Sequence, residues 1–189
     1  MIRALVLLNI VILTTFKLCS QNTSEIYKQY SFSIDAGATY GMFYLPKDDF
    51  KSRFKGCFLR LNTPTNKRNS QIGYLELMFG ATPKQESIWF LDAKLGIGMP
   101  LFISSSTQIP AYLSLGYGVV KYKDHSGGGF ILGTKITPKF SLSERISFIF
   151  SGDIDLHFSD TLDNDDFNIN TFYITGYLGL GISILFMTS

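Results

Sequence analysis

The sequence predicts an all-β chain: eight antiparallel strands closed into an up-and-down transmembrane β-barrel, following a cleaved N-terminal signal peptide. Three observations carry this expectation. Apolar and polar residues alternate with a period of two, in segments that recur at short intervals along the chain. The longest of these segments reach 11 residues or more, whereas globular strands average about five or six and a tilted membrane-crossing strand needs roughly 9–11. Aromatic residues make up 15% of the chain, glycines number 17 and charged residues only 17%, against about 25% charged in ordinary soluble domains. That balance suits a sheet with one face turned toward something other than water.

The N-terminus reads as an export signal. Arg3 supplies a positive start, Ala4 to Phe16 form a short apolar stretch, and Leu18-Cys19-Ser20 resembles a cleavage site before Gln21. The stretch falls below the roughly 17 residues of a spanning helix, and no later segment reaches that length. Residues 1–20 are thus expected to leave, and residues 21–189 to form one domain. Losing Arg3 and Lys17 leaves 15 basic and 15 acidic residues, a zero balance that excludes a basic nucleic-acid surface. Cys57 then stands alone and forms no internal disulfide. Lipidation at Cys19 is the lesser reading, because Phe16-Lys17-Leu18 occupy positions where lipoproteins carry small residues.

The strands follow in order. In the first, Phe32, Ile34, Ala36, Ala38, Tyr40 and Met42 alternate with Ser33, Asp35, Gly37, Thr39 and Gly41. Weaker alternation marks 53–61 and 70–80. Next, Trp89, Leu91, Ala93, Leu95, Ile97 and Met99 oppose Phe90, Asp92, Lys94, Gly96 and Gly98. Ala111, Leu113, Leu115, Tyr117 and Val119 oppose Tyr112, Ser114, Gly116 and Gly118, and 128–138 is a third weak candidate. The stretch Arg145 to Phe158 sets Ile146, Phe148, Phe150, Gly152, Ile154, Leu156 and Phe158 against Arg145, Ser147, Ile149, Ser151, Asp153, Asp155 and His157. The last strand sets Phe172, Ile174, Gly176, Leu178, Leu180, Ile182, Ile184 and Phe186 against Tyr173, Thr175, Tyr177, Gly179, Gly181 and Ser183. A slip of one residue would exchange the two faces, so register is strongly specified. Connectors 44–52, 81–86, 123–128 and 159–168 are expected on one rim, and 62–69, 101–107 and 138–142 on the other.

The apolar face is expected to look outward. Recurring glycines on the opposite face relieve crowding in a narrow barrel, a need that a water-facing exterior lacks. Charges of both signs stand near mid-strand on that face: Asp35, Arg60, Glu76, Asp92, Lys94, Lys135, Asp153 and Asp155. Inside a filled barrel they must pair, because an unpaired buried charge costs several kcal/mol. Tyr40, Trp89, Phe148, Phe158, Phe172 and Phe186 fall near strand ends on the apolar face, as interfacial girdles require. The competing reading is a secreted lipocalin-like binder of an apolar ligand, with the apolar face inward.

Over residues 28–187 the chain resembles the small outer-membrane β-barrel domain family, the OmpA-like or porin-like eight-stranded proteins. The sharpest likeness is Gly179-Leu180-Gly181-Ile182-Ser183-Ile184-Leu185-Phe186, which is similar to the C-terminal signal read by the barrel assembly machinery through Gly181, Ile184 and Phe186. Gly179 stands where that signal usually has a polar residue, and Met187-Thr188-Ser189 follow the aromatic. The segment 133–143 also resembles the family's strand–turn–strand unit. The resemblance implies the outer membrane of a diderm bacterium as location. Its lipid, its lipopolysaccharide and the assembly machinery would be the partners, and the role would be structural or surface interaction without catalysis.

No motif argues for a catalytic, cofactor or metal site. His157-Phe158-Ser159 has the His-x-Ser spacing of outer-membrane lipid A deacylases, so a lipid-modifying enzyme is a further alternative. That chemistry needs the pair at the lipid-facing surface. Alternation turns His157 inward beside Asp153 and Asp155, which predicts an interior histidine bonded to a neighbouring carboxylate. Asp163-Asn164-Asp165-Asp166 lacks the glycine and distal Glu of a calcium loop and reads as a solvated turn. Gly127-Gly128-Gly129 has no helix after it to cradle phosphate, and His125 beside it reads as a surface residue. Asp92, Lys94, Glu76 and Arg60 read as structural ion pairs, since a filled lumen admits little substrate.

Overall fold

Alternation at this length leaves the backbone one economical solution, in which every strand pairs on both sides and no edge remains. The computed structural model describes residues 30–46, 49–66, 71–83, 88–104, 106–122, 125–160 and 172–187. The expected signal segment and the carboxylates Asp163, Asp165 and Asp166 lie outside them. Strands run β1 Tyr30–Leu45, β2 Phe50–Asn66, β3 Gln71–Ala81, β4 Ile88–Ile103, β5 Thr107–Tyr122, β6 His125–Ile136, β7 Lys139–Ser141, β8 Ile146–Asp160 and β9 Tyr173–Met187. All neighbours are antiparallel, in the order β4-β3-β2-β1-β9-β8-β6-β5, and β4 pairs with β5 to close the ring. Among the described residues no helix is long and apolar enough to cross a membrane; the long elements are strands.

Nine assigned strands make an eight-stranded barrel because β6 and β7 are one strand. Both lie between β5 and β8 in unbroken register: Ala111 faces Ile136 and Gln108 faces Lys139, while Ile136 faces Gly152 and Lys139 faces Ile149. Pro138 has no N–H to donate, yet its carbonyl accepts from Phe150 N at 2.9 Å and Thr137 N donates to Pro110 at 3.0 Å. The expected turn at 138–142 is therefore displaced to 142–145. The connector expected at 44–52 also contracts, with β1 running to Leu45 and β2 starting at Phe50. Just before β2, Asp49 takes φ of 46°, a left-handed conformation that aspartate tolerates better than most residues.

The faces fall as the alternation predicts. Leu178 and Phe130 are 73% exposed, and Ile154, Leu180, Ile182, Leu115 and Ile97 also lie on the outer surface. Aromatic pairs decorate that surface near both rims. Phe79–Trp89, Tyr117–Phe130 and Phe158–Phe172 sit toward the rim carrying the 46–49 turn, and Phe32 stacks on Phe186 at 4.6 Å toward the other. Phe148 and Phe172 are half-buried against such neighbours, while Tyr40, Trp89, Phe158 and Phe186 are exposed.

The interior holds more apolar bulk than the inward-facing lists suggest. Toward the 46–49 rim Phe43, Leu45, Phe54, Met78, Ile88, Phe90, Val120 and Tyr173 form a buried cluster. Phe54 meets Phe90 edge-on at 4.9 Å, and Phe43 stacks on Tyr173 at 4.7 Å. Glycines give these rings room: a Cβ on Gly80 would lie 2.3 Å from the Phe90 ring, and one on Gly96 would lie 2.1 Å from the Tyr74 ring.

Candidate functional site

The chemistry-bearing side chains gather in the middle of the lumen, below the apolar cluster. One hydrogen-bonding row crosses four adjacent strands with alternating sign: Asp35 on β1 faces Arg60 on β2, Arg60 faces Glu76 on β3, and Glu76 faces Lys94 on β4. Alternation turned all four inward, and register then set opposite charges side by side. From the far wall, Lys135 on β6 faces Asp153 on β8, and both reach into the same layer.

Glu76 is the hub. Arg60 Nε donates to its Oε2 at 2.7 Å, with the guanidinium NH2 nitrogen also 2.7 Å away. Lys94 approaches Oε1 at 3.1 Å, Lys135 donates to Oε2, and the Tyr177 hydroxyl donates to Oε1 at 3.3 Å. Lys94 also donates to Asp155 Oδ2 and to the Tyr177 hydroxyl, each at 2.7 Å. Lys135 lies 3.2 Å from Asp153. Lys139 donates to Asp35 at 3.0 Å and Arg60 reaches Asp35 at 3.5 Å. Rings complete the cage, with Arg60 over Phe58 and Tyr74 and Lys135 over Tyr74. Full desolvation makes each contact stronger than in water and makes any missing one costly.

The eight charged residues expected to face inward are all buried. Lys139 is a ninth member that sequence reasoning missed, because it falls in the segment 138–142 read as a connector. The signal was present: inward positions 131, 133, 135 and 137 continue in step to 139.

Among the described residues the buried charges number four cations (Arg60, Lys94, Lys135, Lys139) and five carboxylates (Asp35, Glu76, Asp92, Asp153, Asp155). Asp92 is the acid left over. Both its oxygens are buried with no hydrogen-bond partner, and His157 Nε2 lies 3.9 Å away, an ion pair only when that imidazole is protonated. Asp92, Asp155 and His157 come together from β4 and β8, with donor atoms all within 4.8 Å of one another. Two carboxylates and an imidazole are a donor set that could hold a divalent cation, and no sequence motif announced it. His157 Nε2 sits 2.9 Å from Thr175 Oγ1, and its ring stacks on Tyr173 at 4.1 Å. The histidine is thus interior, as alternation predicts, but a threonine rather than Asp153 or Asp155 is its close partner. The side chains of Ser159 and His125 lie outside the described residues.

Solved structures share this architecture. The chain is similar to Neisserial surface protein A, with a TM-score of 0.67 and 10% identity, covering 82% of this chain and 97% of that one. It is similar to Ail, the attachment invasion locus protein of Yersinia pestis, with a TM-score of 0.53 and 15% identity over 84% of this chain and 99% of that one. It is also similar to the outer membrane protein OprG from Pseudomonas aeruginosa, with a TM-score of 0.52 and 10% identity over 85% and 98%. No protein-family model matches the chain, and no curated protein matches it in sequence. The fold is that of the small eight-stranded outer-membrane β-barrels, and the exposed apolar belt between two aromatic bands fits that setting.

Proposed function

We propose that the chain is a non-enzymatic integral outer-membrane protein. In this reading it stiffens the membrane or presents its short turns for surface interaction, around a lumen closed by side chains. The single observation that carries the proposal is the lumen's contents. An aromatic cluster lies across one end, and a cross-linked ion network fills the middle. An eight-stranded barrel has just enough interior for such side chains. The exposed apolar belt supports lipid contact, and the mixed charges inside argue against a lipocalin-like binder. His157, buried beneath Tyr173 and away from the outer surface, argues against lipid-modifying catalysis. The outer-membrane lipid, its lipopolysaccharide and the barrel assembly machinery, engaged through β9, are the partners this reading requires. Conductance across planar bilayers tests it: no stable channel of porin size is expected, and such channels would refute the closed lumen.

A further inference from the structure

The outer surface carries a groove that the barrel itself does not need. It holds about 740 Å³, within the roughly 300–1,000 Å³ of ligand-sized cavities. Its lining follows two adjacent hydrogen-bonding rows. In the first, Met42 faces Gly176, Gly176 faces Ile154, Ile154 faces Thr134 and Thr134 faces Leu113. In the second, Tyr40 faces Leu178, Leu178 faces Gly152, Gly152 faces Ile136 and Ile136 faces Ala111. The rows cross five strands, a run of about 20 Å at about 4.8 Å per strand. At the end nearer the 46–49 rim the lining includes Arg53, which faces Met42 from β2.

Two features say that something other than protein fills this space. The first is the floor. Glycines on the lumen side leave room for neighbouring atoms, as Gly80 does for Phe90 and Gly96 for Tyr74, where a Cβ would collide. Gly152 and Gly176 are different: their nearest atoms to a built Cβ are 3.8 and 3.9 Å away, so packing within the barrel does not demand glycine there. The second is charge. Arg53 is exposed on the outer face, flanked at alternate positions by exposed Lys51 and Lys55, so three cations border an otherwise apolar belt.

We propose that the groove holds an acyl chain of an anionic lipid, with the lipid's negatively charged headgroup paired to Arg53 and its flanking lysines. The chain lies over Gly176 and Gly152 between Tyr40, Leu178, Ile154 and Ile136, and the headgroup sits in the leaflet on the 46–49 side. This rests on the membrane-embedded reading above and adds a specific, saturable site to it.

Native mass spectrometry of the protein folded in detergent micelles tests the proposal, with phosphatidylglycerol and phosphatidylcholine of identical chains as probes. The folded protein is expected to retain one phosphatidylglycerol about five-fold better than phosphatidylcholine, the weight of one basic side chain near an anionic headgroup. Gly152→Leu with Gly176→Leu should abolish retention of both lipids, Arg53→Gln should reduce the preference for phosphatidylglycerol, and Arg53→Gln with Lys51→Gln and Lys55→Gln should equalise the two lipids. If the double variant does not fold, Gly176→Ala and Arg53→Gln decide, each reducing retention of phosphatidylglycerol. Equal retention by wild type and variants, or no preference for the anionic lipid, overturns the groove site. A protein that stays folded and soluble without detergent instead overturns the membrane reading beneath it.

Discussion

Replacing Glu76 by Gln isolates the ion network's contribution to the fold. The change keeps side-chain volume and one acceptor oxygen but removes the charge that Arg60, Lys94 and Lys135 share at contact distance. All four side chains are fully buried, so water does not replace what is lost. Removing one partner of a buried ion pair costs about 3–5 kcal/mol. Asp153 and Asp155 still contact Lys94, and Asp153 still contacts Lys135, which places the expected loss toward the lower end of that range. With a urea slope of roughly 2 kcal/mol per molar, the unfolding midpoint should fall by about 1.5 M or more. The assay is urea unfolding of the lipid-inserted barrel, followed by heat-modifiable migration on detergent gels and by fluorescence of Trp89. An exposed pair is the control: Lys51 and Asp49 lie 3.3 Å apart with side chains 57% and 81% exposed, and such pairs contribute at most about 1 kcal/mol. If Glu76→Gln shifts the midpoint no more than Lys51→Ala does, the network is not what holds the lumen together.

Three further outcomes follow from the same geometry. Asp92→Asn should cost less than half as much as Glu76→Gln, or raise the midpoint, because this buried carboxylate accepts no hydrogen bond and an uncompensated charge is itself costly; a loss equal to that of Glu76→Gln would show an unrecognised partner, and a chelator-sensitive midpoint in wild type would identify it as a cation. Gly96→Ala should destabilise by about 1–3 kcal/mol through overpacking against Tyr74, while Gly152→Ala, whose Cβ would meet Leu178 at an ordinary van der Waals distance of 3.8 Å, should be tolerated; folded fractions on unboiled gels distinguish the two. Leu178→Arg should cost about 2–4 kcal/mol in a bilayer if this belt lies near the hydrocarbon midplane, and a neutral effect on the unfolding midpoint would argue that the position faces water.

Much of the fold was legible because a period of two encodes both element type and facing. Phe148, Ile154, Leu178 and Ile182 stand outside, and Asp35, Arg60, Glu76 and Lys94 stand inside, as alternation alone requires. Partners were not legible. Asp35 meets Lys139 across 104 positions, and Asp92 meets His157 from strands that are not neighbours, so the pairings depend on register and barrel closure. The strand continuing through Pro138 to Ser141 was not legible either, because alternation around a residue with no N–H to donate does not show that its neighbours go on pairing on both sides. The aromatic cluster near the 46–49 rim was hidden for another reason. Phe54, Phe58 and Phe90 occupy inward positions that glycines on facing strands leave open, and strand alternation does not reveal which glycine meets which ring.

Which face of each strand meets hydrocarbon decides between a membrane barrel and a soluble binder. Nitroxide labels placed one at a time at outward positions 178, 180 and 182 of β9, and at the exposed positions 143–145 between β7 and β8, in a chain with Cys19 and Cys57 replaced by serine, measure this directly through collision with oxygen and with a water-soluble nickel chelate. Labels at 178, 180 and 182 should be oxygen-accessible and nickel-protected, and labels at 143–145 should be open to nickel. Nickel access at 178, 180 and 182 equal to that at 143–145 would contradict the outward placement of the apolar face.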